Sequence, residues 1–150
     1  MNKMIAAFSA VVIAFASVAQ AEVAEIEISG NDQMQFDKKT FEVKAGQKVK
    51  LTLKHSGKMP KAAMGHNIVI LAKGVTAMAF GAAVMPNGGT VANEYIPTKN
   101  TDQMIAYTKM LGGGESVTIE FDAPAEAGSY EYLCTFPGHF ALMKGTMVVK

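Results

Sequence analysis

The run Cys134-Thr135-Phe136-Pro137-Gly138-His139-Phe140-Ala141-Leu142-Met143-Lys144-Gly145 constrains this chain more than any other stretch. It holds the only cysteine, a histidine five residues on and a methionine four beyond that. Thiolate, imidazole and thioether are ligands of graded softness, a set that suits copper rather than magnesium or calcium. Two histidines and a cysteine in one plane, with a weak axial methionine, form an established copper geometry, so the loop calls for a second histidine from elsewhere. The best candidate is His66, in Met64-Gly65-His66-Asn67. The fold must therefore bring two distant segments onto one ion.

The rest of the chain reads as short strands. Glu25 to Ile28 alternates and ends in a Ser29-Gly30-Asn31-Asp32 turn cluster. Phe41 to Val43 closes at Ala45-Gly46, and Val49, Leu51 and Leu53 alternate with lysines and threonine, giving one buried and one wet face. A continuous apolar run from His66 to Leu71 predicts a strand covered on both sides. Val117 to Phe121, Tyr130 to Cys134 and Thr146 to Lys150 predict three more. Val75 to Val84, rich in Ala and Met, predicts a short helix or flap, followed by an irregular polar connection to about Pro97. Gly112-Gly113-Gly114 reads as a turn between strands. The fold class is all-β, a sandwich or barrel of about eight strands, with the ligand stretch as a loop at one end.

The first 21 residues differ from the rest. Lys3, an apolar stretch from Met4 to Val18 and the small-x-small Ala19-Gln20-Ala21 predict a secretory signal peptide cleaved after Ala21. The apolar run is shorter than the roughly 20 residues a spanning helix needs, so no membrane anchor is expected after cleavage. Residues 22–150 then form a single exported domain. An exported chain usually pairs its cysteines. An odd one is intermolecular, free or a ligand, and the neighbouring His and Met favour a ligand. Net charge is +1 at pH 7 and no basic run or phosphate-cradling loop occurs, which argues against nucleic-acid partners.

Pro137 fixes φ and Gly138 permits unusual backbone, so the turn between Cys134 and His139 should be stiff. Met143 is too weak a donor to complete a closed zinc site, which again favours a single copper ion. Gly65, lacking a side chain, can bring its carbonyl close as a second axial ligand. Asn67 and Phe136 adjoin the ligands, and Asn67 is placed to hold the Cys134 loop by hydrogen bonds. His55 fits no ligand spacing and reads as a structural, partly buried histidine. The 11 methionines mostly fill core, Met143 being the one expected to ligate.

Met64-Gly65-His66-Asn67, the run from Cys134 to Gly145 and Gly30-Asn31-Asp32-Gln33-Met34-Gln35-Phe36 resemble the azurins, periplasmic blue-copper proteins of the cupredoxin fold. The resemblance runs from about Glu22 to Lys150. It implies a Greek-key β-sandwich with one short helical flap, His66, Cys134 and His139 as equatorial ligands, and Met143 and the Gly65 carbonyl as axial ones. It also implies that the position of His55 can couple protonation to redox state. The chain departs from the family in three places. The usual N-terminal disulfide is missing, with Ala24 and the Gly46-Gln47 neighbourhood in its place. Ile68 stands where a buried tryptophan is common, and Phe140 where serine or alanine is common.

The function this implies is single-electron transfer, cycling Cu(II) and Cu(I) between redox proteins such as c-type cytochromes and copper- or haem-containing reductases or peroxidases. Met34, Met59, Met64, Phe136, Phe140, Ala141 and Leu142 are expected to form an apolar docking patch round an exposed edge of His139, on a monomer. A copper-delivery protein is the alternative. An enzyme is not expected, because metal catalysis needs an open coordination position and four side-chain ligands leave none.

Overall fold

The structure, a computed structural model, describes residues 22–150; the expected signal peptide, 1–21, lies outside the described residues. Eight strands form two sheets: β1 (Ala24–Gly30), β2 (Thr40–Val43), β3 (Lys48–His55), β4 (Val69–Leu71), β5 (Met104–Tyr107), β6 (Ser116–Asp122), β7 (Gly128–Leu133) and β8 (Lys144–Val149). The smaller sheet runs β1-β3-β6 and the larger β2-β8-β7-β4-β5.

Alternation decides which face each strand buries. In β3, Val49, Leu51 and Leu53 are fully buried while Lys48, Lys50 and Lys54 face water. β1 runs parallel to β3 with Ile28 opposite Leu53, and β6 runs antiparallel on its other side with Leu51 opposite Ile119. Their inner faces meet those of β7 and β8, including Tyr130, Tyr132 and Met147, in one core that reaches Cys134 and Met143. The expected ligand loop is thus rooted in the main core through Cys134 and Met143.

One expectation needs correction, and one strand was not foreseen. The strand expected from His66 to Leu71 is paired as a strand only over Val69–Leu71, with His66 in an isolated bridge to Leu111. The intervening backbone is held by side chains instead: Ile68 N–H donates to Thr108 Oγ1 at 3.0 Å. A side-chain partner satisfies the buried amide without continuing a ladder. β5 lies in a stretch whose polar lead-in masked it, and it closes the edge of the larger sheet against β4. The glycine turn before β6 matches expectation, with Gly114 at φ +81°.

Two short helices flank the copper end, α1 (Lys61–Met64) and α2 (Ala77–Ala83). α2 falls inside the expected flap and is capped by Thr76, whose hydroxyl accepts from Ala79 N–H at 3.3 Å. Ala77 and Phe80 join Val69, Leu71, Val84 and Leu133 in a second apolar cluster.

Candidate metal centre

The loop leaving β7 carries Cys134 as its first residue, and its return into β8 carries Met143. Cys134 N–H donates to the Met143 carbonyl at 3.0 Å, closing the loop's neck. Inside it, Gly138 adopts φ +81°, a left-handed turn that glycine permits, and opens a single 3-10 turn over His139–Ala141. His139 N–H bonds the Phe136 carbonyl at 3.0 Å, and Met143 N–H bonds the His139 carbonyl at 2.7 Å. The backbone therefore spaces Cys134, His139 and Met143 by its own hydrogen bonds.

His66 arrives from the opposite side, its backbone bonded both ways to Leu111 at 3.0 and 2.7 Å. Its ligand atom and those of Cys134 and His139 all lie within 4.8 Å of one another. Cys134 Sγ is 3.6 Å from His139 Nδ1 and 3.7 Å from the Gly65 carbonyl oxygen. A Cβ on Gly30 would sit 2.9 Å from His66 Cδ2 and 3.1 Å from the Met143 methyl, so both ligands converge over a glycine that must stay bare. All four side chains are buried.

The donor set fits a soft ion. His66 Nε2 donates to the Asn31 carbonyl at 2.8 Å, which turns Nδ1 and its lone pair toward the cluster. Among the described residues, that Nδ1 is buried with no hydrogen-bond partner, a costly arrangement unless an ion takes the lone pair. Burial pushes the Cys134 thiol up to about 12, against the pull of the Asn67 and Phe136 amides aimed at the sulfur. Burial likewise lowers His139 to about 4, helped by the neighbouring His66 and His55, and lowers His66, with the Asn31 carbonyl opposing. Both imidazoles are thus neutral ligands at physiological pH. His66, Cys134, His139 and Met143 form a site for one copper ion.

The surrounding layer is well determined. Asn67 takes Thr135 N–H on its Oδ1 at 2.8 Å and donates Nδ2–H to Thr135 Oγ1 at 2.7 Å. His55 is 2% exposed and stacks on His66 at 4.2 Å with 17° between planes. Its Nε2 faces the Met64 carbonyl at 2.7 Å and its Nδ1 accepts from Gly57 N–H at 3.1 Å. Asn31, Thr135 and Leu111 escaped the sequence reading, because Asn31 and Leu111 act through backbone atoms and Thr135 through a partner distant in sequence.

Round the loop, Leu142 is 56% and Met59 38% exposed, Ala141 is exposed, and Met34, Met64 and Phe136 are half-buried. The expected exposed edge of His139 is largely covered: the residue is 3% exposed, with the Phe136 ring against its imidazole at 4.5 Å. Phe140, expected to enlarge the patch, instead packs its ring on Gly81 of α2 and joins the second apolar cluster.

Comparison with known proteins agrees with this geometry. Residues 22–150 match the family of copper binding proteins of the plastocyanin/azurin type. The azurin of Bordetella pertussis is 41% identical over 152 aligned positions, covering 98% of this chain and 97% of that protein. The structure of an azurin from Methylomonas sp. strain J superposes with a TM-score of 0.71 at 30% identity, covering 85% of this chain and 98% of that one. Auracyanin from Roseiflexus castenholzii gives 0.72 at 38% identity, with 85% and 97% covered. The chain belongs to the plastocyanin/azurin family of copper-binding proteins, within which it is an azurin-like, type 1 copper protein of the cupredoxin fold.

Proposed function

We propose that residues 22–150, released from the signal peptide 1–21, work in the periplasm as a soluble electron shuttle between redox proteins. The observation that carries this reading is a closed, buried set of three ligand atoms within 4.8 Å, with Met143 beside it. A bound copper ion supplies a one-electron Cu(II)/Cu(I) couple there. The chain's part is to hold ligand positions fixed: Asn31 orients His66, Thr135 and Asn67 anchor the cysteine, and the neck bond from Cys134 to Met143 fixes the return. Packing excludes water, so little need reorganise when charge changes. The Gly65 carbonyl, 3.7 Å from Cys134 Sγ, would be a further, weak donor to a bound ion.

The partners this reading supports are c-type cytochromes and copper- or haem-containing reductases or peroxidases. They would dock on the apolar surface formed by Met34, Met59, Met64, Ala141 and Leu142, with Phe136 and Phe140 behind it. The test is the visible absorption spectrum of the oxidised, copper-loaded protein before and after Cys134→Ser. An intense band lost in the variant is the expected result. A colourless protein that takes copper only as Cu(I) would replace the shuttle with a copper-delivery role.

A further inference from the structure

The segment Glu94-Tyr95 lies outside the ligand loops, and both residues adopt left-handed backbone, at φ +54° and +59°. Two consecutive non-glycine residues in this region are unfavourable and persist only where the surroundings over-determine them. Here they do. Tyr95 N–H bonds the Thr90 carbonyl at 2.8 Å, Glu94 N–H the Val91 carbonyl at 3.1 Å and Ile96 N–H the Asn93 carbonyl at 3.0 Å. Thr90 and Asn93 lock the turn from before with a reciprocal cap, Thr90 N–H reaching Asn93 Oδ1 at 2.7 Å.

The strained turn points two groups at the copper end. Tyr95 meets Phe136 edge-on, centroids 5.5 Å apart and planes at 69°, and Phe136 leans on His139 at 4.5 Å. Tyr95 packs with the second apolar cluster and Phe136 with the main core, so their contact joins the two. The Glu94 carboxylate divides its oxygens: Oε1 pairs with Lys61 of α1 at 3.3 Å, and Oε2 accepts from Met110 N–H at 2.9 Å. Met110 adjoins Leu111, the residue that grips the His66 backbone, and its side chain lies against Gly65.

We propose that Glu94 and Tyr95 form a brace that positions both histidine ligands, Tyr95 setting His139 through Phe136 and Glu94 setting His66 through Met110 and Leu111. Neither residue touches the ion; both are positioning residues. The brace rests on the copper-site reading above and adds what limits the movement of its imidazoles. Glu94 and Tyr95 are half-buried, so the turn holds the ligand loops from their periphery without placing another polar group in the core.

The test compares Tyr95→Leu, Tyr95→Phe and Glu94→Ala with the unaltered copper protein by reduction potential, visible spectrum and electron self-exchange. Imidazole NMR of the metal-free proteins supplies a readout independent of the metal. Tyr95→Leu should shift the potential, broaden the His139 ring signals and slow self-exchange by about tenfold, the scale set by one lost aromatic contact. Tyr95→Phe should restore all three, since the ring and not the hydroxyl makes the contact. Glu94→Ala should move the His66 signals and the potential while leaving the His139 ring sharp, and serves if Tyr95→Leu fails to fold. Unchanged potentials and ring signals in both variants would overturn the brace, as would a Tyr95→Phe protein as impaired as Tyr95→Leu. A normal band in the unaltered protein beside that result would leave the copper-site reading standing.

Discussion

At Cys134 and His139 burial works on protonation from opposite sides. The thiol, ordinarily near 9.0, is held at about 12, and the imidazole, ordinarily near 6.5, at about 4. At neutral pH the metal-free site is a protonated thiol beside neutral histidines. Copper takes the thiolate, so loading at pH 7 should release about one proton per ion, read by pH-stat titration; uptake without proton release would contradict the burial argument. Affinity should rise with pH and fall as pH drops through about 4, where His139 takes up a proton. The same shifts set the pH range of the metal-free fold. Unfolding frees His139 to bind a proton below about 6.5 and Cys134 to lose one above about 9. Stability should be greatest between those values and decline toward pH 4 and toward pH 12. Asn67 carries a second prediction at this scale. Asn67→Leu leaves Thr135 N–H and its hydroxyl buried without their partners, which should cost about 2 kcal/mol. Urea denaturation of the metal-free protein measures that cost. The potential of the copper protein should move with it, and an unchanged potential would remove Asn67 from the metal's surroundings.

Among the elements, β1 shows how the chain manages without the disulfide its relatives led one to expect. Gln47, in the turn between β2 and β3, accepts Lys44 N–H at 2.9 Å and donates to the Glu22 carbonyl at 2.7 Å. Its own carbonyl takes Ala123 N–H at 2.8 Å. One side chain therefore ties the start of β1 to the turn, where a covalent bridge would otherwise contribute about 2–4 kcal/mol. Gln47→Ala should cost about 1 kcal/mol, seen as a lower urea midpoint with an unchanged copper spectrum. The elements differ in how legible they were. β3 and β6 show their buried faces by strict alternation, and α2 was marked by small residues without alternation. β4 was overextended because His66, Asn67 and Ile68 are as buried as a strand while their polar partners are side chains or a lone bridge. β5 was missed because its pairing with β4 depends on residues more than thirty positions away.

Taken whole, the molecule places its copper loop, α1 and α2 at one end of the sandwich. Phe140, half-buried and packed on Gly81, fastens the loop to α2, leaving Leu142, Ala141 and Met59 as the more exposed apolar surface there. Residues 22–150 carry 13 lysines against 13 acids, because Lys3 falls in the expected signal peptide. A neutral body with the proposed apolar docking face should exchange electrons with a redox partner at rates that depend weakly on salt. Met64→Lys, half-buried at the rim, should slow exchange with a c-type cytochrome by about tenfold or more without altering the visible band. Stopped-flow kinetics reads both at once, and equal rates would move the docking face elsewhere.

The sequence alone determined the ligand types, their spacing in the Cys134–Met143 loop and the alternation that makes a two-sheet sandwich. These are local properties, written in neighbouring residues and in a period of two. Only the tertiary structure decided what surrounds the ion: the Asn31 carbonyl that aims His66, the stacking of His55 on it, the cover that Phe136 lays over His139, and the turn of Phe140 away from the patch. The Asn31, His55 and Phe140 contacts join separate segments, and the Phe136 cover depends on how the loop itself folds, so no residue type announces them.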